Sequence, residues 1–106
     1  MAPNEAEIAA VKAEHPGAEL HQLEHGDESI VVRVPNRVQW RRFIAESSNK
    51  TPGASSAAME NILAAVTVWP KSSDDLYNRR PGLVETFAGK VCELAGLASE
   101  ASAKKI

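Results

Sequence analysis

The chain has 106 residues, 43% of them hydrophobic, 25% charged and only 5% aromatic, and its formal net charge is -2 at pH 7. These values fit one ordinary globular domain with a core of Ala, Val, Leu and Ile. They lack the basic excess of a dedicated nucleic-acid binder or a polybasic membrane-surface module.

Asn4 is the expected N-cap of a first helix over about residues 4–14. Glu5 and Glu7 lie in the turn where the helix dipole favours negative charge, and Ile8 and Val11 are three apart on one face. His15, Pro16 and Gly17 end it, because Pro16 cannot continue a helix. Ala18–Glu24 and Glu28–Val34 read as two strands about a turn at His25, Gly26 and Asp27. Ile30, Val32 and Val34 alternate onto one face, with Arg33 on the other. In the first strand Leu20 and Leu23 are three apart, which fits a period of two only with a bulge or over part of the segment. A lone hairpin is marginal in water, so this one has to pack on the helices or pair with another chain.

Pro35-Asn36 ends the second strand and opens a helix, in which Asn36 and Gln39 make a capping-box pattern. Its apolar stripe is Trp40, Phe43 and Ile44, with Arg37, Arg41 and Arg42 off the stripe and an end near Glu46. Ser47–Ser56 is a polar loop around Thr51, Pro52 and Gly53. Ser55 or Ser56 is expected to cap the next helix, in which Met59, Ile62, Leu63 and Val66 repeat at helical spacing until Trp69-Pro70 stops it. Ser73, Asp74 and Asp75 start a short helix holding Leu76 and Tyr77. Pro81 suits the first position of the last helix. Leu83, Val84, Phe87, Val91 and Leu94 form its stripe and Gly96 its stop. Residues 98–106 read as a frayed tail. The expected fold is α+β and predominantly α-helical: a short N-terminal helix and a β-hairpin at about 18–34, then a small helical bundle at about 36–97. Residues 1–97 form one domain in this reading.

Residues Met1 to Glu5 carry neither the basic nor the apolar region of a signal peptide. The longest apolar run, Ile62 to Trp69, is far short of the roughly 20 residues a membrane span needs. The single cysteine, Cys92, cannot close an internal disulfide. A cytosolic chain is expected.

No catalytic constellation emerges, and neither an enzyme activity, a cofactor nor a metal is expected. His21 and His25 are four apart, but they fall in a strand and turn, and no paired cysteines complete a zinc set. His15 stands apart from them. Cys92 lies near a helix C-terminus, where the dipole disfavours a thiolate. Asp74, Asp75 and Glu85 read as helix-start residues, and the glycines lack phosphate-loop spacing. The pairs Arg41-Arg42 and Arg79-Arg80 read as a solvated or ion-paired face, with Glu46 and Asp75 in reach. Contact with phosphate, or with an anionic stripe on a protein partner, is the alternative.

The segments RVPNRVQWRRF (Arg33–Phe43), AMENILAAVTVWP (Ala58–Pro70) and RPGLVETFAGKVCELAG (Arg80–Gly96) follow one another in a recognisable order. A strand leads through Pro35 and Arg37 into a helix. A second helix ends ahead of Pro70, Arg80 to Leu83 open a last helix, and Leu94 to Gly96 close it. Over roughly residues 18–97 this order resembles the small tail assembly chaperones of long-tailed bacteriophages. The resemblance implies a non-catalytic protein that coats the aggregation-prone tape measure protein before the tail tube polymerises around it. It implies the tape measure protein as partner, contact with the tail tube protein, a homo-oligomer and the bacterial host cytoplasm. In some such phages a longer frameshifted product joins the short one. Trp40, Arg41, Phe43, Ile44, Trp69, Tyr77, Arg79 and Arg80 are the candidate partner-binding residues; core packing is the alternative role for the aromatic ones. A head-tail connector or tail completion protein, and a small nucleic-acid-binding regulator, are the competing functions.

Overall fold

Asn4 and Asn36 open two helices by the same device. In each, the asparagine side chain accepts from the backbone N–H three residues on, and the side chain there, Glu7 or Gln39, accepts from the asparagine N–H. Such a box satisfies two otherwise orphaned donors. The helices are α1 (Glu5–Glu14) and α2 (Arg37–Ser47). The computed structural model describes residues 1–97 and 102–106. Of the expected tail, residues 98–101 lie outside the described residues, and 102–106 are exposed without regular secondary structure.

Between α1 and α2 lie β1 (Leu20–His25) and β2 (Glu28–Arg33), an antiparallel hairpin closed by Gly26 and Asp27. Positive φ is confined to the first of these, Gly26 at 59°, the position that a type II′ hairpin turn gives to glycine. The register is regular from Leu20↔Arg33 to His25↔Glu28, so of the two alternatives the bulge is absent, and the strand begins at Leu20 rather than Ala18. Leu20 and Leu23 instead point to opposite faces. Leu23 is buried with Ile30 and Val32, while Leu20 lies half-buried on the other side.

After α2 come α3 (Ala54–Val66), β3 (Thr67–Trp69), α4 (Asp74–Arg79) and α5 (Leu83–Leu94). Two expected helix starts are corrected. α3 begins on Gly53 with no side-chain cap, so neither Ser55 nor Ser56 caps it. Pro81 lies in a turn ahead of α5, whose first residue is Leu83, with Gly82 as N-cap. Thr67–Trp69, read from the sequence as the end of the helix before Pro70, is a strand. β3 pairs antiparallel with β2, Val31 with Trp69 and Val32 with Thr67, giving the sheet order β1-β2-β3 with a register shift between Val31 and Val32. The β-branched run Val66-Thr67-Val68 favours extended backbone, and β2 offers it an open edge.

The last helix ends as its sequence indicates. Gly96, at φ 99°, follows Ala95, the Leu97 N–H donates to the Cys92 carbonyl at 3.0 Å and the Gly96 N–H to the Glu93 carbonyl at 3.0 Å. This is a Schellman stop.

The core lies between one face of the sheet and the helices α3 and α5. Leu23, Ile30 and Val32 from the sheet meet Ile62, Leu63, Val66, Leu83, Val84, Phe87, Ala88 and Val91, with Leu76 of α4 closing one side. The other face of the sheet is covered by α1, where Ile8, Val11, Leu20 and Val31 surround a small cavity. α2 rests mainly on α3. Among the described residues, no helix is long and apolar enough to cross a membrane.

Candidate functional site

None of the eleven residues of α2 is buried. Its inner side leans on the core through Trp40 and Phe43, both half-buried, with ring centroids 5.5 Å apart and planes inclined by 37°. Such a tilted aromatic pair stiffens the contact beyond the area it buries. A polar clamp fastens the edge of α2 to α3. Glu46 accepts from Arg42 Nε at 3.0 Å through one carboxylate oxygen and from Asn61 Nδ2 at 2.7 Å through the other. Beneath it lies a cleft of about 340 Å³ with Phe43, Ala58, Ile62 and Ala65 along its apolar wall.

The outer side of α2 has no such support. Val38 is 74% exposed and Ile44 44% exposed. Arg41 is three residues from each, so it lies between them on the helix surface, and Arg37 is one turn before it. Met1, Leu97 and Ile106 are the other exposed large apolar residues among those described, all in the terminal segments. Arg37 and Arg41 make no ion pair among the described residues. Two guanidinium groups with no ion pair among the described residues thus stand between two exposed aliphatic side chains.

The structure divides the eight candidate residues. Trp40, Arg41, Phe43 and Ile44 come together on α2, the aromatics turned inward and the other two outward. Trp69 stands across the sheet and donates from Nε1 to the Glu7 carboxylate at 2.9 Å, tying β3 to α1. Tyr77 is half-buried, and its hydroxyl and that of Thr67 are buried with no hydrogen-bond partner among the described residues. Both line a polar cleft of about 770 Å³ beside Pro70 to Asp74. Burial pushes the Tyr77 hydroxyl up to about 12. Arg79 pairs with Glu28 at 3.0 Å rather than with the nearer-in-sequence Asp75, and Arg80 is exposed beyond the end of α4.

Glu28 also accepts from the Met1 ammonium at 3.1 Å. That contact first, and Arg79 after it, hold its carboxyl below the usual carboxylate range. Val38 is the residue that the apolar stripe of α2 does not reveal, because it sits among arginines on the polar side. An aliphatic residue at such a position is the signal.

His21 Nε2 lies 2.6 Å from Glu19 at the surface. Among the described residues, no group of three His, Cys, Asp or Glu side chains could hold a metal ion. Cys92 is half-buried, and burial pushes its thiol up, away from nucleophilic use.

No protein-family profile and no curated protein matches the chain. A solved structure, that of the uncharacterised protein rbstp2171 from Bacillus stearothermophilus, is similar with a TM-score of 0.69 at 20% sequence identity, over 92% of this chain and 99% of that one, and the likeness is one of fold.

Proposed function

We propose that this chain is a non-catalytic protein-binding module that serves as a phage tail assembly chaperone, covering apolar stripes of a tape measure protein until the tail tube forms around it. The observation that carries the reading is the outer side of α2. Outside the terminal segments, the exposed large apolar side chains among the described residues, Val38 and Ile44, both stand there, with Arg41 between them. Exposed apolar residues are common singly; α2 is the helix, among the described residues, that carries two of them, with arginines between. The order of segments that resembles the chaperones falls on element boundaries of the fold: Pro35 before α2, Pro70 after β3 and Gly96 after α5.

This surface is small, so one contact is weak. Weak contacts repeated along a long partner give avidity and still permit displacement when the tube polymerises. Trp69 and Arg79 have partners within the chain, so the role rests on α2.

The test is co-expression with the tape measure protein of the same genome, followed by solubility and pull-down assays. Soluble tape measure protein carrying many copies of this chain is the expected result. A tape measure protein that stays insoluble and unbound overturns the reading. Recovery of the chain in purified virions does so in favour of a connector role.

A further inference from the structure

We infer that the outer side of α2 receives an amphipathic helix whose apolar stripe is flanked by acidic side chains. The inference rests on the protein-binding reading above and names the chemistry of the partner. Its basis is the composition of this side: Arg37 and Arg41 make no ion pair among the described residues, and they run along the exposed side of α2 with Val38 on one flank and Ile44 on the other.

Each feature narrows the occupant. The two guanidinium groups call for anions, and as rigid planar forks they match carboxylates two bonds at a time. A second copy laid two-fold on the same face would bring arginine against arginine, and such like-charge contacts are repulsive. A phosphate backbone would satisfy the arginines but leave Val38 and Ile44 in water. An acidic amphipathic helix meets both needs, its leucine-type anchors on the aliphatic side chains and its Asp or Glu residues on the guanidinium groups.

The probe is a labelled peptide of about 18 residues, long enough to be helical alone, with leucines at helical spacing flanked by glutamates. Its counterpart carries lysines in place of the glutamates, and a short DNA duplex serves as a third probe. Fluorescence anisotropy with the full chain is expected to show binding of the glutamate peptide only. That binding should weaken about tenfold or more with Arg41→Glu and also weaken as salt rises. Val38→Ser with Ile44→Ser should weaken it as well, while circular dichroism confirms that each variant is folded.

Equal binding of the lysine peptide overturns the inference. So does preference for the duplex, indifference to Arg41→Glu, or a dimer in sedimentation that Arg41→Glu disperses. The two ideas fail separately. Tape measure protein solubilised by a chain that ignores the glutamate peptide removes this inference alone. Glutamate-peptide binding without tape measure solubilisation removes the chaperone reading alone.

Discussion

Trp69 and Glu7, 62 residues apart, are joined by a 2.9 Å hydrogen bond from the indole Nε1 to the carboxylate. The bond links the edge strand β3 to α1 and so holds α1 over the outer face of the sheet. Glu7 does a second thing at once, accepting from the Asn4 N–H at 3.1 Å through its other oxygen. One side chain thus starts a helix and docks it.

The carboxyl of Glu7 is held below its ordinary value of 4.5, first by the Asn4 N–H and then by the Trp69 indole. A carboxyl whose folded pKa is depressed adds stability above its unfolded value, and that stability is lost as pH falls through the folded value. Glu7→Gln is therefore expected to melt below the wild type at neutral pH. The gap should narrow as the pH drops through 4.5 and below. Parallel thermal melts across that range check it; a gap that acidification leaves unchanged would mean that the charge of Glu7 contributes nothing.

Tyr77 is the only tyrosine of the chain, so its ionisation can be read without interference. Burial of the hydroxyl without a protein partner among the described residues pushes its pKa up to about 12. Ultraviolet titration should show phenolate absorbance rising near that value. Titration at 10, the ordinary tyrosine value, would mean that water reaches the hydroxyl freely.

Gly89 and Gly96 are expected to respond oppositely to alanine. Gly89 lies inside α5 with open space where a Cβ would go, so Gly89→Ala should stabilise by about 0.5–1 kcal/mol through helix propensity. Gly96 has equally open space but a φ of 99°, so Gly96→Ala should cost roughly 1–2 kcal/mol. For a domain of this size each kcal/mol moves the melting temperature by about 4–8 °C, which calorimetry resolves easily. Equal shifts of one sign would remove the conformational argument.

Much of this fold is legible in single residues. Asn4, Asn36 and Gly96 mark helix ends because each supplies a local device that needs no distant partner. The spacing of Ile62, Leu63 and Val66, and of Val84, Phe87 and Val91, marks buried faces because a helix repeats its own geometry. β3 was not legible as a strand, since Thr67–Trp69 is three residues long and becomes one only when β2 presents its edge. Pro81 fits a first helical turn locally, but the chain takes an additional turn there before α5. The candidate site was half legible. Helical spacing picks out Trp40 and Phe43, yet their half-burial against the core depends on how α2 lies across α3. Val38 escapes because its exposure is a tertiary fact. The pairing of Arg79 with Glu28 is likewise tertiary, brought about by the hairpin turning back toward α4.

Val38 and Ile44 provide the sharpest division between folding and function. If they serve a partner, their removal should cost the fold almost nothing. Serine has a helix propensity close to that of valine and isoleucine, so Val38→Ser and Ile44→Ser isolate the loss of the aliphatic surface. Each is expected to change stability by less than about 0.5 kcal/mol, as exposed substitutions do. Phe87→Ala, at a residue only 1% exposed in the core, should cost about 3–5 kcal/mol. Urea melts of the three variants make the comparison. A large loss at Val38 or Ile44 would place these side chains in the folding of the chain itself. The outer side of α2 would then be a structural face, and its arginines would have to be explained without a docking helix.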